Sequence, residues 1–106
     1  MYQSKWGKEA PERSEVDSQA GKLILEFGTD WCPHCQNIQP QLKELLTDSS
    51  VVHWKLEDGK GRKLGRTFGV RLWPNFVLML DGDIVHQLAR PSEDELRQAI
   101  EAWLKN

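Results

Sequence analysis

The sequence predicts an α/β fold in which a central mixed sheet of four or five strands is flanked by helices. Three observations carry that expectation. An apolar run, KLILEF (residues 22–27), is followed by a stretch of helical periodicity and then by a β-branched run, VVHWKL (residues 51–56). A strand, helix, strand order of this length gives a right-handed parallel pair. Further on, NFVLML and DIVHQLA flank Asp81 and Gly82, and Asp-Gly between two such runs signals a hairpin, hence an antiparallel pair. The chain has 106 residues and is 39% apolar, enough for one core and too little for two.

Taken in order, residues 1–10 show no periodicity and read as a flexible arm, leaving residues 11–106 as a single domain. Pro11 suits a first helical position, Val16 and Ala20 are one turn apart, and Gly21 fits the end of a short helix. The run at 22–27 is broken only by Glu26 and reads as a strand buried on both faces. In HCQNIQPQLKELL, Ile38, Leu42, Leu45 and Leu46 share one helical face, and Pro40 should kink the helix without ending it. A short helix is expected around residues 62–68, ended by Gly69. The last helix opens with Ser92 and Glu95 in capping-box spacing and carries the stripe Leu96, Ala99, Ile100, Trp103 and Leu104.

Composition narrows the function. The net charge is −2 and the 14 basic residues are scattered along the chain, which does not support a nucleic-acid surface. No window approaches the roughly 18 apolar residues of a membrane span. Nor does the N-terminus show the basic-then-apolar pattern of an export signal, so a cytoplasmic location is expected, with a periplasmic one as the alternative if a signal has been removed. A monomer is the default expectation.

The two cysteines stand in GTDWCPHCQ, two residues apart, at the predicted turn from strand to helix. There the unpaired N–H groups and the positive end of the helix dipole favour an anion, so a thiolate is expected at Cys32. Cys35, one helical turn on, can form and break a disulfide with it. His34 between them can donate a hydrogen bond to sulfur and, when protonated, adds a further stabilising charge. Pro33 stiffens the turn. A structural disulfide closing so small a loop would stabilise little. Half a zinc site would need ligands from His34, His53 and His86, which show no second paired spacing. Both alternatives stay open at this point, with a redox pair favoured.

With LILEFGTDWCPHC and FGVRLWPNFVLMLDGDIV in register, the chain resembles the thioredoxin family over about residues 22–104. The resemblance implies the thioredoxin fold, with the active site at the N-terminus of the helix after the first central strand. It also implies a thiol-disulfide oxidoreductase in which Cys32 attacks and Cys35 resolves, the Cys32–Cys35 disulfide being the redox group and no other cofactor or metal being needed. Trp31 matches the tryptophan packed beside the site. Glu26 matches the buried acid, usually aspartate, that exchanges a proton with Cys35. Lys55 matches a lysine near that acid, and Pro74 a cis-proline that sets a backbone edge against Cys32. Its partners would be protein substrates bearing thiols or disulfides and a redox partner reductase or oxidase.

Several positions depart from that pattern. Trp73 replaces a smaller residue and can fill the substrate groove or offer a stacking surface. Gly28 stands where an aromatic is frequent, Leu72 where glycine is frequent, and Arg90-Pro91 where a glycine is familiar. CPHC is more typical of the periplasmic oxidase DsbA, but the stretch from Leu56 to Trp73 has no room for that protein's helical insertion. An alternative is a non-catalytic or redox-switched binding module using the groove around Trp73 and Pro74.

Overall fold

A computed structural model describes all of residues 1–106. Strand β1 (Lys22–Gly28) is central: β2 (Val52–Glu57) runs parallel to it on one side and β3 (Asn75–Leu80) antiparallel on the other. The hairpin partner of β3, β4 (Asp83–Ala89), completes a four-stranded sheet of order β2-β1-β3-β4. The mixed sheet is thus observed with the smaller of the two strand numbers expected.

Alternation along β1 sorts its side chains between two cores, because successive residues of a strand face opposite sides. Ile24 joins Phe76 and Leu78 under α2 (Pro33–Leu46) and α4 (Glu93–Leu104), packed with Leu42, Leu46, Ile100 and Trp103. Leu23, Leu25 and Phe27 face the other way, onto Val16 of α1 (Arg13–Asp17) and onto Leu64 of α3 (Leu64–Thr67) and Phe68 just after it. Glu26 shares the parity of Ile24 and is fully buried on the α2 side. The register pairs Ile24 with His53 and Glu26 with Lys55, so both residues of β2 stand on that same face.

Local expectations are mostly met at the turns. Asp81 and Gly82 take φ of 50° and 86°, as a tight two-residue hairpin loop requires. Ser92 caps α4, and Glu95 closes the capping box. Pro40 lies inside α2, which runs on for another turn and a half. One expectation is corrected at α1: Pro11 precedes the helix, Glu12 is its N-cap, and the helix stops at Asp17. Gly21, with φ of 76°, instead opens β1 beside the hairpin, its N–H bonded to Asp81 Oδ1 at 2.7 Å.

A second correction concerns residues 1–10. Read as an arm without periodicity, they lie along the outer edge of β2, where the N–H of Gly7 meets Lys55 O at 2.7 Å and the N–H of Glu57 meets Gly7 O at 3.0 Å. An edge strand presents unpaired backbone groups, and the arm satisfies some of them. Its half-buried Tyr2 and Trp6 turn inward, a docking by isolated aromatics that leaves no periodic trace in sequence.

Candidate active site

The cysteine turn is built by the start of α2. Cys32 is the N-cap, with extended backbone, Pro33 is the first helical residue, and the N–H of Cys35 points at Cys32 Sγ at 3.4 Å. Proline is well placed there, since a first-turn N–H has no partner within the helix. Both thiols are free and buried, Cys32 at 5% exposure and Cys35 at 1%. Their surroundings nevertheless differ.

Cys32 belongs to a rim. Trp31, 69% exposed, meets Trp73 edge to face with ring centroids 5.8 Å apart. The indole N–H of Trp73 is anchored on Asp58 Oδ2 at 2.8 Å, so the ring is fixed at the surface as a wall and is not lost in the core. The Trp73–Pro74 peptide bond is cis. Arg90 clamps this corner: its Nε donates to Trp73 O at 2.8 Å and its backbone N–H to Pro74 O at 2.7 Å. It does so at φ of 46°, a left-handed conformation that suits the familiar glycine and that an arginine adopts here at some cost. His34 is exposed and lines a cavity of about 200 Å³ with Pro74, Arg90 and Pro91. It makes no hydrogen bond to either sulfur; the donor to Cys32 is the Cys35 N–H.

Cys35 faces the interior. Burial pushes its thiol up to about 12, helped by the hydrogen bond and charge of Cys32 and by the charge of Glu26, against a lowering by the Thr29 backbone. Gly28 explains how sulfur packs so closely on β1: a Cβ there would stand 2.5 Å from Cys35 Sγ and 2.9 Å from the Trp6 ring. The space a frequent aromatic would occupy at position 28 is thus taken by Trp6 from the arm.

Beneath the cysteines, Glu26 is held by two donors. His53 Nε2 lies 2.9 Å from Oε1, and Gln39 Nε2 donates to Oε2 at 2.7 Å and to Cys35 O at 2.8 Å. Lys55 reaches Gln39 Oε1 at 2.6 Å, as does the Tyr2 hydroxyl at 2.7 Å. The direct contact expected between Lys55 and Glu26 is therefore replaced by one through Gln39, because His53 and Gln39 already occupy the carboxylate. Desolvation lowers the Lys55 pKa, and the charges of Glu26 and Cys35 oppose that.

The sequence-predicted residues thus fall into two groups joined by the cysteine turn: Trp31, His34, Trp73 and Pro74 on the rim, Glu26 and Lys55 below. Gln39, His53 and Tyr2 were missed as site residues. The first two carried a signal, Gln39 being one turn beyond Cys35 on α2 and His53 having the parity of Lys55 on β2. The sequence offers His53 only as a possible zinc ligand; in the structure its two ring nitrogens face Gln3 and Glu26.

Comparison with known proteins agrees with this geometry. The sequence profile described as Thioredoxin matches residues 8–102. The chain belongs to the thioredoxin family. It is 33% identical over 79 residues to Thioredoxin-1 of Caenorhabditis elegans, covering 74% of this chain and 69% of that protein. Thioredoxin 2 from Pseudomonas aeruginosa PAO1, solved in its reduced form, is 47% identical and superposes with a TM-score of 0.85 over 98% of each chain. Protein disulfide-isomerase A2 of Pongo abelii is 33% identical over 90 residues, which span 78% of this chain and 17% of that one. Thioredoxins are thiol-disulfide oxidoreductases acting on protein disulfides, and the Cys32–Cys35 pair supports that activity here.

Proposed function

We propose that Cys32 attacks a protein disulfide, that Cys35 resolves the mixed disulfide so formed, and that the sulfur pair is the only redox group the reaction needs. The observation that carries this reading is the asymmetry of the pair. Cys32 sits at the helix N-terminus beside the open rim, where an anion is favoured. Cys35 is held as a thiol against the interior, with a carboxylate network below to take its proton. Trp31, Trp73 and Pro74 form the surface on which an extended substrate segment lies. Attack by Cys32 on one substrate sulfur breaks the substrate disulfide and expels the other sulfur as a thiolate; the Cys35 thiolate then bonds to Cys32 Sγ and breaks the bond from Cys32 to the substrate, so the pair ends oxidised and both substrate sulfurs leave as thiols.

Reduction of substrate is the direction this geometry favours. An oxidising couple would draw on His34 to stabilise the reduced thiolate, and His34 stands exposed without a bond to sulfur. Insulin reduction with dithiothreitol tests the roles: Cys32→Ser should fall to the uncatalysed rate, and Cys35→Ser should accumulate a mixed disulfide through Cys32. Full activity in Cys32→Ser would end the proposal.

A further inference from the structure

His53 is a fully buried titratable residue to which the reaction as described gives no part. Its side chain and that of Glu26 have no exposure, and its bonds determine its state. The backbone N–H of Gln3 points at Nδ1 at 2.9 Å, so Nδ1 accepts and the ring proton resides on Nε2. Nε2–H then donates to Glu26 Oε1 at 2.9 Å. The other oxygen is settled in the same way. Gln39 Oε1 takes two donors, Lys55 Nζ and Tyr2 OH, which forces the Gln39 amide nitrogen toward Glu26 Oε2. Each carboxylate oxygen therefore faces a donor, the arrangement that suits the ionised form. The charged and titratable groups around Glu26 are His53 and Lys55 from β2, Cys35 from α2 and Tyr2 from the arm.

We propose that His53 is a positioning residue for the resolving step, holding Glu26 as the acceptor of the Cys35 proton, and that the arm sets the His53 tautomer through the Gln3 amide. The proposal rests on the cysteine roles given above. In the step itself the Cys35 S–H bond breaks and its proton passes to the Glu26 carboxylate. The thiolate then forms a bond to Cys32 Sγ, and the bond from Cys32 to the substrate sulfur breaks, its electron pair leaving with that sulfur. His53 keeps its own proton throughout. Without it, Oε1 would be a buried acceptor lacking a donor, which disfavours the ionised carboxylate.

The test separates the two sulfur steps. Reduced protein is treated with Ellman's reagent under stopped flow: attack by Cys32 releases the first thionitrobenzoate and resolution by Cys35 the second. His53→Leu should leave the first phase unchanged and slow the second about tenfold near neutral pH, the order expected for losing one hydrogen bond to a charged group. The second-phase rate should then climb toward alkaline pH, where hydroxide removes the Cys35 proton. His53→Gln, which retains a donor, should recover most of the rate. Equal second phases in His53→Leu and the parent, or equal slowing of both phases, would overturn the proposal. If the Leu variant does not fold, Gln3→Pro, which removes the N–H that Nδ1 accepts, should shift the second-phase pH profile in the same direction, and an unshifted profile would overturn it. Absence of a second phase in the unsubstituted protein would refute the cysteine roles instead.

Discussion

Cys32 and Cys35 belong to one turn of α2, yet the regions on either side of that turn are built on opposite lines. The rim around Cys32 is aromatic and open, with Trp31 and Trp73 meeting edge to face, and polar atoms there serve to fix the wall: Asp58 holds the Trp73 indole and Arg90 holds the Trp73 carbonyl. The floor under Cys35 is largely buried and polar, with His53, Glu26, Gln39 and Lys55 bonded in series. The contrast shows how two chemically identical thiols acquire different duties. At the rim, apolar surface and a backbone edge can receive a substrate; on the floor, low exposure penalises the thiolate and a bonded carboxylate can receive its proton.

The sharpest way to break that comparison is selective alkylation. Iodoacetamide at pH 8 should label Cys32 and leave Cys35 a thiol, because burial holds Cys35 up to about 12; comparable labelling of both in the folded protein would erase the distinction. The same shift has a consequence for stability. Cys35 in the folded chain keeps a proton that the unfolded chain loses above 9.0, so its contribution is fully present below that pH and is lost as pH rises toward about 12. Chemical denaturation of the reduced protein from pH 8 upward should show this decline, and Cys35→Ala should flatten it.

Gly28→Ala probes the seam between the regions. The added Cβ would meet Cys35 Sγ and Trp6 at 2.5 Å and 2.9 Å, and overpacking of this kind costs about 1–3 kcal/mol. Urea unfolding should register that loss; an unchanged midpoint would mean that the arm and Cys35 yield freely. The smallest effect is expected from His34→Ala. With no bond to either sulfur, His34 should alter the couple by less than about 30 mV, the equivalent of one unit of thiolate pKa. Equilibration with glutathione buffers, followed by tryptophan fluorescence, checks this, and a larger shift toward a reducing couple would restore the oxidising reading of CPHC.

Much of the fold was legible because its signals are local. The apolar run at 22–27, the Asp81-Gly82 turn and the capping box at Ser92 each state their geometry within a few residues. The parallel pair of β1 with β2 and the hairpin of β3 with β4 followed from the order of those elements, whereas the antiparallel pairing of β1 with β3 came only from the structure. The rim residues and the cysteines were equally legible, since they cluster in two short motifs. What the sequence reading missed lies on the floor and in the arm. His53 is 27 positions from Glu26, and Gln3 is 50 from His53. Those contacts exist only after β2 has been laid beside β1 and the arm along β2.

The amino-acid order by itself determined the sheet elements, the cysteine turn at a helix N-terminus and hence the class of chemistry, because periodicity, turn preference and the helix dipole act over a few residues. Tertiary structure alone decided that Trp6 would fill the space above Gly28, that Trp73 would stand as a half-buried wall, and that Lys55 would reach Glu26 only through Gln39. Those outcomes depend on which buried donor finds which acceptor once water is excluded, a competition among groups far apart in the chain.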